Sequence, residues 1–311
     1  MSADPLSDAL VVADARSVFT GGMTAGGDWA VRLPAGDRLR VHAVVRGTCL
    51  LIPDHGETLH LEEGDVVVID GRHEVVVCSG PGLASVDVDD LHMDPRTRMA
   101  HLGDGSDVVA VSGHIDISRD YGELLREALP SLILVRSDAA EAPALSWLIS
   151  RLMEEAAAGR AGADFISHHL AQVLFTQVLR VCLTRTEGLP AGWLRALADE
   201  RLAPALRLMH GEPSHPWQLT ELARAATMSR ATFALRFKEA AGVPPLTYLL
   251  NWRMRLAARE LRQREAPVAA IAAQVGYTSE SAFSNAFKRT MGMSPRRYRD
   301  NARSRAGGGS V

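Results

Sequence analysis

The side chains best suited to meeting a chemical partner are Ser281, Ser284, Asn285 and Lys288, which fall on one face of a helix pattern. A carboxamide such as Asn285 can pair bidentately with adenine N6 and N7, while Ser281 and Ser284 can serve base or phosphate. The matching face of an earlier stretch carries Ala231, Ala234 and Leu235, which offer no hydrogen bonds. Base discrimination there should come from apolar contact with thymine methyls. Lys238 and Lys288 are the only lysines in the chain and stand at equivalent places on the two faces. Together with Arg230, Arg236 and Arg289 on the flanks, they suit phosphate contact. Covalent chemistry has no such support, since no Ser or Cys stands in an evident nucleophile arrangement.

What must position these residues is a pattern written twice. Ser229, Phe233, Phe237, Lys238, Gly242, Pro245 and Tyr248 recur 50 positions on as Ser279, Phe283, Phe287, Lys288, Gly292, Pro295 and Tyr298. Each copy opens with a short apolar helix pattern, Leu219, Leu222, Ala223 and Ala226 or Val268, Ile271, Ala272 and Val275. Turn residues follow, then a serine suited to cap a second helix. Short helix, tight turn, longer helix is the helix-turn-helix unit, expected here over 218–241 and 267–291. With Phe233 set inward, steps of 100° place Phe237 and Ala240 with it and Ala231, Ala234, Leu235 and Lys238 opposite. The second copy gives the same wheel. Gln218 stands where Ser or Thr would cap better.

Residues 199–302 resemble the DNA-binding domain of the AraC/XylS family of bacterial transcription regulators. The segments LTELARAATMSRATFALRFKEAAGVPPLTYL and VAAIAAQVGYTSESAFSNAFKRTMGMSPRRYR carry the resemblance. It implies a long helix, here 245–262, holding two recognition helices in adjacent major-groove segments of double-stranded DNA. Family members often carry Arg where Leu235 stands, so guanine readout by the first unit is not expected.

The formal charge of -3 conceals a division. From 199 onward 18 basic residues face 9 acidic ones, against 16 and 28 before it, so a polyanion should meet only the C-terminal third. No apolar run is long enough to span a membrane, and the N-terminus has no signal-peptide pattern. Cys49, Cys78 and Cys182 are too few and scattered for a disulfide framework. A cytoplasmic setting follows.

Residues 1 to about 125 read as short strands with close turns, at 29–33, 39–45, 48–52, 58–61, 66–69, 74–78 and 108–115, within a first domain expected over 1–140. HAVVRGTCLLI, LEEGDVVVID and the histidine at 73 resemble the cupin-type sensory domain of one branch of the same family. The fold class expected is therefore multidomain α+β, a cupin-like barrel followed by an all-α domain. Metal-dependent cupins use an HxH, but His42 has Val44 two places on; His55, Glu57 and His60 cluster at a turn, His55 and His60 with opposite parity. No metal, cofactor or catalytic residue is expected, and His42, Cys49, His73 and Cys78 are the candidates to line an effector pocket.

Helix patterns fill 141–190, which the family resemblance implies is a dimerisation surface, with a hairpin packed on its own barrel as the alternative. Residues 188–202 read as the interdomain connection, and 303–311 as a disordered tail. The resulting expectation is a homodimeric regulator controlled by a small effector, with RNA polymerase as a further partner. Two alternatives are a metal-dependent cupin enzyme fused to a DNA-binding module and an effector-independent DNA-binding protein.

Overall fold

The computed structural model describes residues 4–117, 122–158, 160–184, 188–263 and 265–307. The chain divides into two units, Asp14–Gly122 with Leu129–Gly188, and Met1–Ala13 and Glu123–Ala128 with Leu189–Val311. Helices α1 (Pro5–Ala13) and α2 (Gly122–Ala128) thus lie in or reach into the second unit although the sequence boundaries gave them to the first domain. For α1 the reason is apolar. Leu6, Ala9, Leu10 and Ala13 are all buried, where the helix packs on two helices of the second unit.

The first unit holds strands β1 (Arg16–Gly26), β2 (Ala30–Leu33), β3 (Leu39–Arg46), β4 (Cys49–Pro53), β5 (Leu59–Leu61), β6 (Val66–Ile69), β7 (Val75–Cys78), β8 (Val86–Asp87), β9 (Met99–Gly103), β10 (Val108–Asp116) and β11 (Leu132–Val135). They form two sheets in the orders β11-β6-β3-β10-β1-β9 and β5-β4-β7-β2-β8, antiparallel except for the pairs β1–β9 and β2–β8. The interior is packed by Val31, Leu33, Val44, Leu51, Leu61, Val67, Ile69, Val75 and Val77, contributed by both sheets. Every strand read from the sequence is present. The longest, β1, gives little sequence signal because it carries two central glycines at a bulge between Phe19 and Gly21. A Cβ at Gly21 would lie 2.2 Å from the Arg98 carbonyl oxygen, so the close backbone approach excludes the branched residues that mark strands.

The EEGD turn is held by Asp65, whose buried carboxylate accepts from the backbone of Glu62 (3.0 Å) and Ser137 (2.8 Å) and from the Arg136 guanidinium (2.9 Å). Helices α3 (Ala142–Ala158) and α4 (Ala163–Thr184) form a hairpin packed on this unit's own strands β1, β3 and β11. The hairpin buries Leu145, Leu148, Ile149, Leu174, Phe175 and Val178. Along α4, Leu174, Val178 and Val181 are buried, whereas Ile166 and Val173 remain exposed.

The second unit contains α5 (Trp193–Ala198), α6 (Ala203–Gly211), α7 (Leu219–Ala225), α8 (Arg230–Ala241), α9 (Pro245–Gln263), α10 (Val268–Gln274), α11 (Glu280–Met291) and α12 (Pro295–Gly307). Residues 188–202 are more than a connection. Trp193 and Leu194 are buried as α5 packs on α8, and the Gly192 N–H donates to the Ala240 carbonyl at 2.8 Å. Of the tail expected over 303–311, residues 303–307 are helical. Helix α12 continues to Gly307, and 308–311 lie outside the described residues.

Candidate nucleic-acid interface and ligand cavity

The sequence repeat is also a repeat of geometry. Ser229 Oγ accepts from the Thr232 N–H at 3.2 Å, and Ser279 Oγ from the Ala282 N–H at 3.3 Å, so each longer helix starts on a capped turn. At the far ends Gly242 and Gly292 adopt φ of 77° and 76°. Phe233 and Phe237 lie 5.6 Å apart and Phe237 lies 5.5 Å from Tyr248, while Phe283, Phe287 and Tyr298 repeat both separations. All four phenylalanines are fully buried, which fixes the opposite face of each helix outward. Helix α7 solves its poor cap through Glu221, whose carboxylate accepts the Gln218 N–H at 2.7 Å.

The two turns differ by one residue. The short helices repeat at 49 positions and the longer ones at 50, because Thr278 has no counterpart in the first turn. Both turns need one left-handed residue after the short helix. In the second it is Gly276 (φ 84°), where a Cβ would also meet the Ser214 carbonyl oxygen at 2.5 Å. In the first it is Thr227 (φ 54°), a β-branched residue in a conformation that disfavours it.

On the outward face of α8, Ala231, Leu235 and Lys238 are exposed and Ala234 is partly covered; on α11, Ser281, Asn285 and Lys288 are exposed and Ser284 is partly covered. Among the described residues neither the Asn285 nor the Lys238 side chain is engaged in a hydrogen bond or ion pair, so each is available to a partner. Arg230 and Arg289 are also exposed. Arg236 differs. Its Nε lies 2.6 Å from Asp199 Oδ2, the contact raises its pKa, and the pair ties α8 to the turn between α5 and α6. Its guanidinium therefore already has an anionic partner. The face presented is one of small, apolar, hydroxyl, amide and cationic groups on two separately capped helices, with no carboxylate among the residues singled out for base or phosphate contact.

Beneath α9 lies a buried polar group that the sequence reading missed. His210 stacks on Trp252 at 3.9 Å and pairs through Nε2 with the Tyr248 hydroxyl at 2.7 Å. Burial lowers its pKa to about 3, keeping the ring neutral. Its Nδ1 has no hydrogen-bond partner among the described residues, and Asp8 Oδ2 of α1 stands 4.0 Å away.

Inside the barrel unit, strands of both sheets enclose a cavity of about 300 Å³. Of the four candidates for an effector pocket, His42 and Cys49 line this cavity, together with Arg38, Arg40, Asp89, Ser112 and His114, which the sequence reading did not single out. For Arg40, Ser112 and His114 the signal was parity, since 40, 42 and 44 share one face of β3 and 110, 112 and 114 one face of β10. Register completes the pattern that parity begins. Val44 pairs with Ala110, His42 with Ser112 and Arg40 with His114, so polarity rises in steps along one wall. His42 Nδ1 is 2.7 Å from Ser112 Oγ, while its Nε2 is buried without a hydrogen-bond partner among the described residues. Burial, with Arg40 adding to it, lowers the His42 pKa to about 4, and burial also depresses Arg40 and His114, the last against the opposing pull of Asp116.

His73 and Cys78 are elsewhere. Val77 lines the cavity, and alternation turns its neighbour Cys78 to the other face of the sheet; His73 lies on the turn before β7, exposed, near Asp54 and His55. All three cysteines are buried. Burial pushes the Cys49 thiol up to about 12 and raises Cys78 as well, the reverse of what a thiolate sensor needs. Among the described residues no helix is long and apolar enough to cross a membrane.

Comparison with known proteins agrees with both halves of this description. Residues 4–184 match the cupin family and 222–301 a helix-turn-helix domain family. An AraC-like transcription regulator of Streptomyces antibioticus is 39% identical over 297 residues, 95% of this chain and 98% of its own. The HTH-type transcriptional regulator AlkR of Acinetobacter baylyi is 31% identical across 89% of this chain and 92% of its own. Among solved structures, the DNA-binding domain of AdpA in complex with a target DNA is 31% identical, covering 36% of this chain and 100% of that one with a TM-score of 0.34. The chain belongs to the AraC-like transcription regulators, with a cupin domain followed by a DNA-binding helix-turn-helix domain.

Proposed function

We propose that the chain is an effector-controlled, non-enzymatic regulator whose two helix-turn-helix units read adjacent major-groove segments. The observation that carries this is the duplicated cap, turn and helix, each copy burying its phenylalanines and presenting an open outer face. Ala231, Ala234 and Leu235 would read thymine methyls; Ser281, Ser284 and Asn285 would read base edges. Lys238, Lys288, Arg230 and Arg289 would hold phosphates, with Arg236 reaching a phosphate only by exchanging Asp199.

The effector would occupy the barrel cavity, and its chemistry follows from the wall. Val44, Leu51, Leu61 and Val77 suit an apolar body, and the step through His42 and Ser112 to Arg40 suits an anionic end such as a carboxylate. Arg40 is partly desolvated with Asp89 and Asp87 as nearby counter-charges, so an anionic end would replace lost hydration there in competition with those carboxylates. The exposed Trp147, Phe165, Ile166 and Val173 of α3 and α4 favour a second copy of this chain as the cover of that hairpin, and contact with RNA polymerase would follow on DNA. A regulator of this kind would do its work on DNA in the cytoplasm.

The test begins with selection of bound sequences from a random pool. Operator affinity is then measured with straight-chain carboxylates and with alcohols of the same length. Carboxylates should shift affinity for the selected site, and Arg40→Gln should abolish that shift while leaving basal DNA binding unchanged. Recovery of no consensus sequence would sink the regulator reading, whereas equal response to the alcohols would sink only the anionic end.

A further inference from the structure

The turn that carries His73 and the loop that carries His55 meet at one end of the barrel, outside the cavity. Asp54 Oδ2 lies 3.6 Å from His73 Nδ1 and 3.9 Å from His55 Nε2, and one ligand atom from each of the three residues falls within 4.8 Å of the other two. We propose that Asp54, His55 and His73 bind a divalent transition-metal ion of the zinc type.

Two imidazoles and one carboxylate are the donor set such ions prefer over calcium or magnesium, which favour oxygen. Ligands about 2.0–2.1 Å from a tetrahedral zinc stand roughly 3.4 Å from one another, so the two carboxylate–imidazole distances need shorten by only a few tenths of an ångström. The sheet supplies the preorganisation. Pro53 and Val75 are the last paired residues of β4 and β7, and just beyond them the Asp54 N–H donates to the Glu74 carbonyl at 3.0 Å. Asp54 and His73 are thereby held at neighbouring strand ends. The imidazoles meet edge to face, 5.5 Å between centroids at 71°, an arrangement that leaves ring nitrogens free to turn towards a common ion. Glu57 lines the cleft beside His55 and His73 but is not one of the three clustered ligands, so the fourth position is left to water. Sequence parity discounted His55 because it was compared with His60 on the following strand; the partners that matter, Asp54 and His73, are brought in by pairing of β4 with β7. The site would clamp two loops of the sensory unit together and give the regulator an input separate from the cavity.

The test is titration of the full-length, tag-free, chelator-treated protein with Co²⁺, followed by displacement with Zn²⁺. One Co²⁺ per chain should bind with the visible absorption of a tetrahedral site, and Zn²⁺ should displace it. His55→Ala and His73→Ala should each weaken binding by about tenfold or more, and His60→Ala should not. All three side chains are exposed, and circular dichroism checks that each variant folds. Absence of stoichiometric binding, or absorption that persists unchanged in the His55→Ala, His73→Ala double variant, would overturn the assignment.

Discussion

Asn285 and Lys238 stand on equivalent helices, yet they differ in what they can tell a protein about a base pair. The Asn285 amide has the geometry to pair with one adenine, so Asn285→Ala should relax preference at a single position of the selected site by about 1–3 kcal/mol. Lys238 carries only charge. Lys238→Ala should weaken all sequences alike and reduce the slope of log affinity against log salt by about one. An unchanged base-by-base profile for Asn285→Ala would remove the readout assignment. Thr227 offers a stability test of the turn itself. Its left-handed backbone costs a β-branched residue roughly 1–2 kcal/mol, and Asn tolerates that region, so Thr227→Asn should stabilise the protein by about 1 kcal/mol in denaturant unfolding. A fall in stability would mean that the threonine side chain contributes more than its backbone costs.

At the scale of elements, what was legible in the sequence is what local chemistry determines. Serine caps, left-handed glycines and phenylalanines at helical spacing are all local, and they gave α7, α8, α10 and α11 and their outward faces. Helices α1 and α5 were not legible, since each is short and is defined by a distant partner. The same holds for β1, whose glycines answer to the Arg98 backbone, and for the cavity wall, which needs the register of β3 on β10. Docking of α1 has a pH signature. Burial raises the Asp8 pKa from 3.8 to about 6, so the folded state holds that proton longer than the unfolded chain, and the Asp8 contribution is lost as pH rises through about 6. His210 works in the opposite sense. Its pKa falls from 6.5 to about 3, so its contribution is present above 6.5 and is lost as pH falls below that value. Asp8→Asn removes the first effect alone. It should stabilise the protein by about 1–3 kcal/mol at pH 8, where the buried carboxylate is ionised, and by little at pH 4. Equal gains at both pH values, read from thermal unfolding, would contradict this account of Asp8.

For the whole molecule, charge and function divide along the same line. The basic third that carries both helix-turn-helix units is the part chemically suited to a polyanion, while the acidic remainder holds the cavity and the Asp54, His55 and His73 cluster. The family was legible from the C-terminal repeat alone because its spacing is dictated by packing within each unit. The ligand chemistry was not, because it arises from residues up to 74 positions apart, Arg40 and His114, made neighbours only by strand pairing. Both helix-turn-helix units should engage one duplex. This is tested most directly by hydroxyl-radical and base-methylation footprinting of the full-length protein on its selected site. Each chain should protect two major-groove segments whose centres lie about 10 base pairs apart, and Asn285→Ala should alter only one of them. Protection of a single segment per chain, shorter than one helical turn, would contradict the account.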